Sequence, residues 1–300
     1  MLKIKNRKIS LLRLVFFSGF CGFMIMLQAG CTLIQRSDSI IEEKTLTYHP
    51  GKFIWHDLVT NDVATAKTFY SQLFNWTYEQ YGHYTIVKLN NNRIGGIIDV
   101  PLKTSKHHVA RWIPSLSVAD VDQATSMVLA NGGIIHKGPE NVDDRGRVAL
   151  VSDPHGAKLS LIKTKTGDPK DGPIAEGSWL WNELWTNNPS DSADFYKELA
   201  GYSMVEELDS YLILKADGKW RAGIRELFNK ALEQRWVPVI RVMDVKAIST
   251  LGKQLGGKVL IEPENPNYAD QVALLADPSG ALFMIQEWSG MDDLKGDKKQ

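Results

Sequence analysis

The strongest constraint on this chain is a segment that occurs twice. Arg111-Trp112-Ile113-Pro114-Ser115-Leu116-Ser117-Val118-Ala119-Asp120-Val121 returns as Arg235-Trp236-Val237-Pro238-Val239-Ile240-Arg241-Val242-Met243-Asp244-Val245. In both copies apolar residues alternate up to an Asp, the pattern of a strand with one buried face running into a helix N-cap. The copies start 124 residues apart, too far for a solenoid period and suited to two similar domains. The register holds downstream: 41 residues separate Trp112 from Asp153 and likewise Trp236 from Asp277. Gly132-Gly133 reappears as Gly256-Gly257, and Asp153-Pro154-His155-Gly156-Ala157 as Asp277-Pro278-Ser279-Gly280-Ala281.

Each half begins before its copy of that segment. Phe53 to Asp62 reads as a strand ending in an N-cap, and Val63, Ala66, Phe69, Tyr70 and Leu73 then recur at helical spacing. Tyr84 to Leu89 and Ile94 to Val100 read as strands, with Gly95-Gly96 permitting a close approach. The run Trp179 to Thr186 repeats the first strand, and Phe195-Tyr196 repeats Phe69-Tyr70. The expected division is a signal segment at 1–30, a polar tether at 31–50, a first domain at 51–163, a Gly/Pro-rich linker at 164–177, a second domain at 178–288 and a polar tail at 289–300.

The N-terminus carries an address. Lys3, Lys5, Arg7, Lys8 and Arg13 precede an apolar run that ends in Ala29-Gly30-Cys31, the layout of a secretory signal. Small residues before a Cys resemble a bacterial lipobox, which implies lipidation at Cys31 and an extracytoplasmic, membrane-anchored protein. Gln28 departs from the usual aliphatic residue. Thr32 rather than Asp after the Cys resembles lipoproteins sent to the outer membrane of a Gram-negative host. Cys21 would leave with the signal, so no disulfide or thiol chemistry is expected. Removing the segment leaves 30 basic against 35 acidic residues, which excludes nucleic acid as an expected partner.

Four strand-helix-strands units, paired two by two, resemble tandem domains of the vicinal oxygen chelate superfamily, which includes glyoxalases, extradiol dioxygenases and bleomycin-resistance proteins. The residues carrying the resemblance are the Trp-x-[Asp/Glu]-Leu strands with Phe69-Tyr70 and Phe195-Tyr196, the Val-x-Asp-Val helix starts and the Asp-Pro-x-Gly-Ala turns. It implies an α+β fold in which each domain curls two βαβββ units into an open cup. Metal-dependent members line that cup with His and Glu. The positions this implies here are Trp55, Ile113 and Ser160 in the first domain and Trp181, Val237 and Met284 in the second. These are poor ligands, so no metal or other cofactor is expected.

Asp57 and Glu183, two residues beyond Trp55 and Trp181, should share the inward face, and His56 should point the other way. Trp55, Asp57, Ser160, Trp181, Glu183 and Met284 are therefore the candidate ligand-binding residues, with no catalytic residue assigned. Asp57 with Asp99, or Glu183 with Glu226, would be the fallback for a hard metal or an acid/base pair. A carboxylate bonded to backbone or to a Trp N–H is the plainer reading. No His lies beyond His155, so the second domain cannot build a His-ligated site. The adjacent His107 and His108 would face opposite ways on a strand. No nucleophile elbow, phosphate loop or Cys-x-x-Cys occurs.

The tryptophans suit a flat small molecule as well as a packed core. The expected function is a lipid-anchored protein that binds a small organic molecule without metal. A metal-dependent lyase or dioxygenase-like enzyme using carboxylates and a non-catalytic envelope scaffold are the alternatives.

Overall fold

The computed structural model describes residues 44–288 apart from 101–109, 144, 209–210, 228–229, 231 and 265–270. The signal segment, Cys31, His107, His108 and the polar tail lie outside the described residues. No helix among the described residues is long and apolar enough to cross a membrane.

Four βαβββ units follow one another. The first is β1 (Phe53–Thr60), α1 (Val63–Phe74), β2 (Thr77–Tyr81), β3 (Tyr84–Leu89) and β4 (Asn92–Asp99). The second is β5 (Ala110–Ser117), α2 (Val121–Ala130), β6 (Ile134–Val142), β7 (Gly146–Ser152) and β8 (Lys158–Thr164). The third is β9 (Trp179–Thr186), α3 (Pro189–Ala200), β10 (Met204–Leu208), β11 (Tyr211–Ala216) and β12 (Lys219–Glu226). The fourth is β13 (Arg235–Val242), α4 (Val245–Gln254), β14 (Lys258–Ile261), β15 (Val272–Ala276) and β16 (Leu282–Glu287).

The Asp residues that end the leading strands cap the helices. Asp62, Asp120 and Asp244 accept from the backbone N–H groups of Thr65, Gln123 and Ala247 at 3.1, 3.0 and 2.8 Å. At α3 Pro189 opens the helix, where a missing N–H costs nothing.

Units one and two make an eight-stranded sheet in the order β2-β3-β4-β1-β5-β8-β7-β6, and units three and four repeat it as β10-β11-β12-β9-β13-β16-β15-β14. In each, the leading strands of the two units pair antiparallel at the centre, and each leading strand pairs parallel with the last strand of its own unit.

The cores pair the units differently. Phe69, Tyr70, Leu73 and Phe74 of α1 share a cluster with Leu275, Phe283 and Ile285 of the second sheet. Phe195, Tyr196 and Leu199 of α3 share one with Leu116, Val151, Leu159 and Leu161 of the first. Units one and four therefore share one core and units two and three the other, although the sheets join one to two and three to four. The turns that mark the repeat lie in these shared cores. Asp277 Oδ1 holds the N–H groups of Ser279 and Ala281, while its Oδ2 accepts from Tyr70 OH at 3.2 Å and Trp112 Nε1 donates to that same hydroxyl at 2.9 Å. Asp153, Tyr196 and Trp236 repeat the arrangement at 3.0 and 2.9 Å. Trp112 and Trp236 are thus core residues, 2% and 3% exposed.

Candidate functional site

β1 and its neighbours put Trp55, Asp57, Ile113, Ser115 and Ser160 on one face of the first sheet, because paired residues of adjacent strands project the same way. Asp57 is 6% exposed and fully engaged. Arg145, in the turn between β6 and β7, donates Nη1 to Oδ2 at 2.9 Å and Nη2 to Oδ1 at 3.1 Å. Tyr84 OH donates to Oδ1 at 2.7 Å and Trp55 Nε1 to the same oxygen at 3.0 Å; Arg145 also bonds the Tyr84 hydroxyl. Burial alone would raise the Asp57 carboxyl, but the Arg145 charge and these bonds outweigh it and hold it below the usual carboxylate value. Burial drives the Tyr84 hydroxyl well above its ordinary value, so it is a donor and not a base. A Cβ on Gly96 would stand 1.9 Å from the Tyr84 hydroxyl and 2.5 Å from Asp57 Oδ1, so the constellation needs glycine there.

The second sheet builds a counterpart. Glu183, 3% exposed, accepts from Tyr211 OH at 2.8 Å, Trp185 Nε1 at 3.2 Å and Arg225 Nε at 3.5 Å. A Cβ on Gly223 would fall 1.7 Å from the Tyr211 hydroxyl.

These residues do not fit a metal. Asp57 faces Ile113 across the central pair and Glu183 faces Val237, both carboxylates are held by guanidinium and phenol groups, and Met284 is buried among Val237, Val239 and Leu274. No three His, Cys, Asp or Glu residues converge among the described residues. The fallback pairs are not assembled. In the ladder Asp57 is level with Gly96 and Asp99 with Thr60, and Asp99 sits at the strand end, 43% exposed, 3.7 Å from His83 Nδ1. Glu226 is likewise exposed, 3.9 Å from Lys230. Both cups are filled by their own side chains, Trp55, Tyr84, Ile86 and Ile162 in the first and the Met284 cluster with Trp185 in the second.

Open space lies elsewhere. His56, on the opposite face from Asp57, stacks on Trp179 with ring centres 4.1 Å apart and bonds Asn182 at 3.1 Å. Both belong to the wall of a cavity of about 850 Å³ between the two halves, roofed by the linker residues Pro169 to Ala175. Of the six candidate binding residues only Trp181 lines it; Trp55, Asp57, Glu183 and Met284 are buried in the cups and Ser160 is half-buried on β8. Trp181 stacks with Trp220 at 5.8 Å and meets Trp288 at 5.5 Å. The linker's Asp171 is held by Lys52, Lys219 and Arg221 at 2.9, 2.8 and 2.8 Å. Three salt bridges and bonds from these cations outweigh the effect of burial and depress its carboxyl strongly.

Sequence reasoning missed Tyr84, Tyr211, Arg145 and Arg225. The two tyrosines open equivalent strands and their repetition was available as a signal. The arginines come from different elements, a turn in one half and β12 in the other, so no repeat betrays them.

Residues 52–161 match the family described as Glyoxalase/Bleomycin resistance protein/Dioxygenase superfamily. CFP32 of Mycobacterium tuberculosis, provisionally named a glyoxylase, is 29% identical over 252 residues, 81% of this chain and 97% of that protein. The anthracycline biosynthesis protein DnrV of Streptomyces peucetius is 28% identical over 263 residues, 80% of this chain and 94% of its own. Among solved structures, a Mn(II)-bound glyoxalase from Novosphingobium aromaticivorans superposes with a TM-score of 0.58 at 12% identity, over 79% of this chain and 82% of that one. The 2,3-dioxygenase LapB from Pseudomonas sp. KL28 does so with a TM-score of 0.56 at 12% identity, over 81% and 93%. At such identities the superpositions speak for the fold alone.

Proposed function

We propose that this chain, residues 52–161 of which match the glyoxalase/bleomycin resistance/dioxygenase superfamily, is a lipid-anchored, extracytoplasmic protein of that kind that binds a small organic molecule without an essential metal. The cavity between the halves carries this reading. Its volume of about 850 Å³ is that of a site for a drug-sized ligand, whereas the cups hold their own side chains. The metal-free part rests on the donor set: Trp55, Ile113 and Ser160, and Trp181, Val237 and Met284, stand where the resemblance puts ligands, and the inward carboxylates Asp57 and Glu183 are each bound by an arginine. The anchor rests on the basic and apolar N-terminus and Cys31.

Elemental analysis of the full-length protein, with thermal shift against Mn(II), Zn(II), Mg(II) and a small-molecule panel, tests the reading. The expected outcome is substoichiometric metal and a melting shift from an organic compound alone. Stoichiometric metal, lost in Asp57→Ala or Glu183→Ala, would overturn it in favour of a metal-dependent lyase or dioxygenase-like enzyme. The filled cups favour a second reading, a non-catalytic envelope scaffold, and silence from both metals and compounds would select it. For the anchor, Cys31→Ser is expected to move the protein from the membrane to the soluble fraction.

A further inference from the structure

The cavity has two kinds of wall. One is aromatic: Trp181, Trp220 and Trp288 lie within 6.2 Å of one another, ring centre to ring centre, and such rings take a flat apolar body. The other is cationic. Six Lys and Arg side chains line the cavity, and Asp171 is the single acidic one among the described lining residues. Arg93 and Lys170 have partners of their own. Of the remaining four, Lys52, Lys219 and Arg221 share Asp171, and the charge of Asp168 also acts on Lys52. Arg241 spends its guanidinium on the main-chain oxygens of Trp288 and Ile174. Three of these cations therefore share one carboxylate, in a protein whose sequence beyond residue 30 is net acidic. A positive concavity on an acidic protein is a local charge that attracts anions.

Buried polar atoms are unmatched in the same wall. His56 Nδ1 and Asn182 Nδ2 have no hydrogen-bond partner among the described residues, and neither does the indole N–H of Trp181. Native interiors rarely leave such groups unpaired, so the wall beside the cavity carries polar capacity that the described residues do not use.

We propose that this cavity binds a planar aromatic carboxylate, its ring among Trp181, Trp220 and Trp288 and its carboxylate on the cationic wall at Lys219 and Arg221. Lys219 is the cation best placed to reach an incoming anion, with a side chain 41% exposed against 5% for Arg221. The inference rests on the small-molecule reading above and sharpens it to a ligand class.

Calorimetric titration of the full-length protein with 2-naphthoate, 2-naphthamide and cyclohexanecarboxylate tests it, repeated on Lys219→Gln and Trp220→Ala after their melting curves are checked. The expected result is binding of 2-naphthoate, with the neutral amide and the non-aromatic acid each about tenfold weaker or more. Both variants should lose a similar factor for 2-naphthoate; Lys219→Gln, at a half-exposed position, carries the test if Trp220→Ala does not fold. Equal binding of the amide would overturn the anionic part and equal binding of cyclohexanecarboxylate the aromatic part, each leaving the small-molecule reading intact. Binding unchanged in both variants would overturn the site. If no probe binds, the ligand class is wrong, and the thermal-shift panel decides separately whether any small molecule binds.

Discussion

His56 and Asn182 stand 126 positions apart in sequence and bond each other, ring Nε2 to amide Oδ1, at 3.1 Å. They occupy equivalent places on β1 and β9, each opposite a proline of the neighbouring strand, Pro114 and Pro238. Two equivalent residues in mutual contact lie close to the axis relating the two halves, as at an isologous interface. The ring is 2% exposed, and burial lowers its pKa to about 4. The neutral imidazole therefore donates from Nε2 to the Asn182 oxygen.

A pH prediction follows from that shift. The unfolded chain takes up a proton near pH 6.5 and the folded chain near 4, so stability falls as pH drops through that window. The loss attributable to His56 between pH 7 and pH 4 is about 3 kcal/mol. Urea unfolding of wild type and His56→Gln at both pH values should show wild type losing that much more than the variant. An equal loss in both proteins would contradict the assignment.

Arg145 and Asp57 behave as one unit. Arg145→Met strands a buried carboxylate and is expected to cost about 3–5 kcal/mol, while Arg145→Met with Asp57→Leu should cost less than the single change. Because the folded carboxyl is held below its ordinary value, the stability from the pair is complete above about pH 4 and is lost as pH falls through the folded value. Gly96→Ala should destabilise by forcing the Tyr84 hydroxyl off Asp57. Equilibrium unfolding of these variants and of Asp57→Leu alone measures these effects, and additive losses for the Arg145 and Asp57 changes would show that the two do not act together.

The hydroxyls of Tyr70 and Tyr196 each join a Trp of their own sheet to the Asp of a turn in the other half. Tyr70→Phe and Tyr196→Phe should each cost about 1–3 kcal/mol, since a buried indole N–H and a carboxylate oxygen lose their partner. The residues belong to separate core clusters, so the double variant should lose the sum. Denaturant midpoints at constant m-value report all three.

These same landmarks explain how much of the fold was legible. Phe-Tyr, Arg-Trp and Asp-Pro-x-Gly-Ala recur because Tyr70, Trp112 and Asp277, and Tyr196, Trp236 and Asp153, must meet in each shared core, so the repeat registered a physical contact without revealing its partners. Strand alternation separated Asp57 from His56 for a reason internal to one strand. The identity of what neutralises Asp57 was not legible, because Arg145 arrives from a turn 88 positions away and local periodicity carries no information about it. The open space was hidden for a similar reason: it is bounded by Lys52, the linker and β12, which adjoin only once the halves dock.

The sharing of cores across the halves bears on what a half can do alone. A chain ending within the linker, near Asp171, would keep the whole first sheet with α1 and α2. It would lose Leu275, Phe283 and Ile285, on which α1 packs, and α3, which covers Leu116, Val151, Leu159 and Leu161. Two large apolar faces would meet water together, far more than a stable monomer exposes. The expected outcome is that residues 44–171 expressed alone aggregate or pair with a second copy that stands in for the missing half, with concentration-dependent unfolding. Sedimentation velocity with denaturant titration decides the matter. A cooperative monomer with an unchanged melting temperature from low to high concentration would mean that each sheet stabilises its own helices and that the shared cores contribute little.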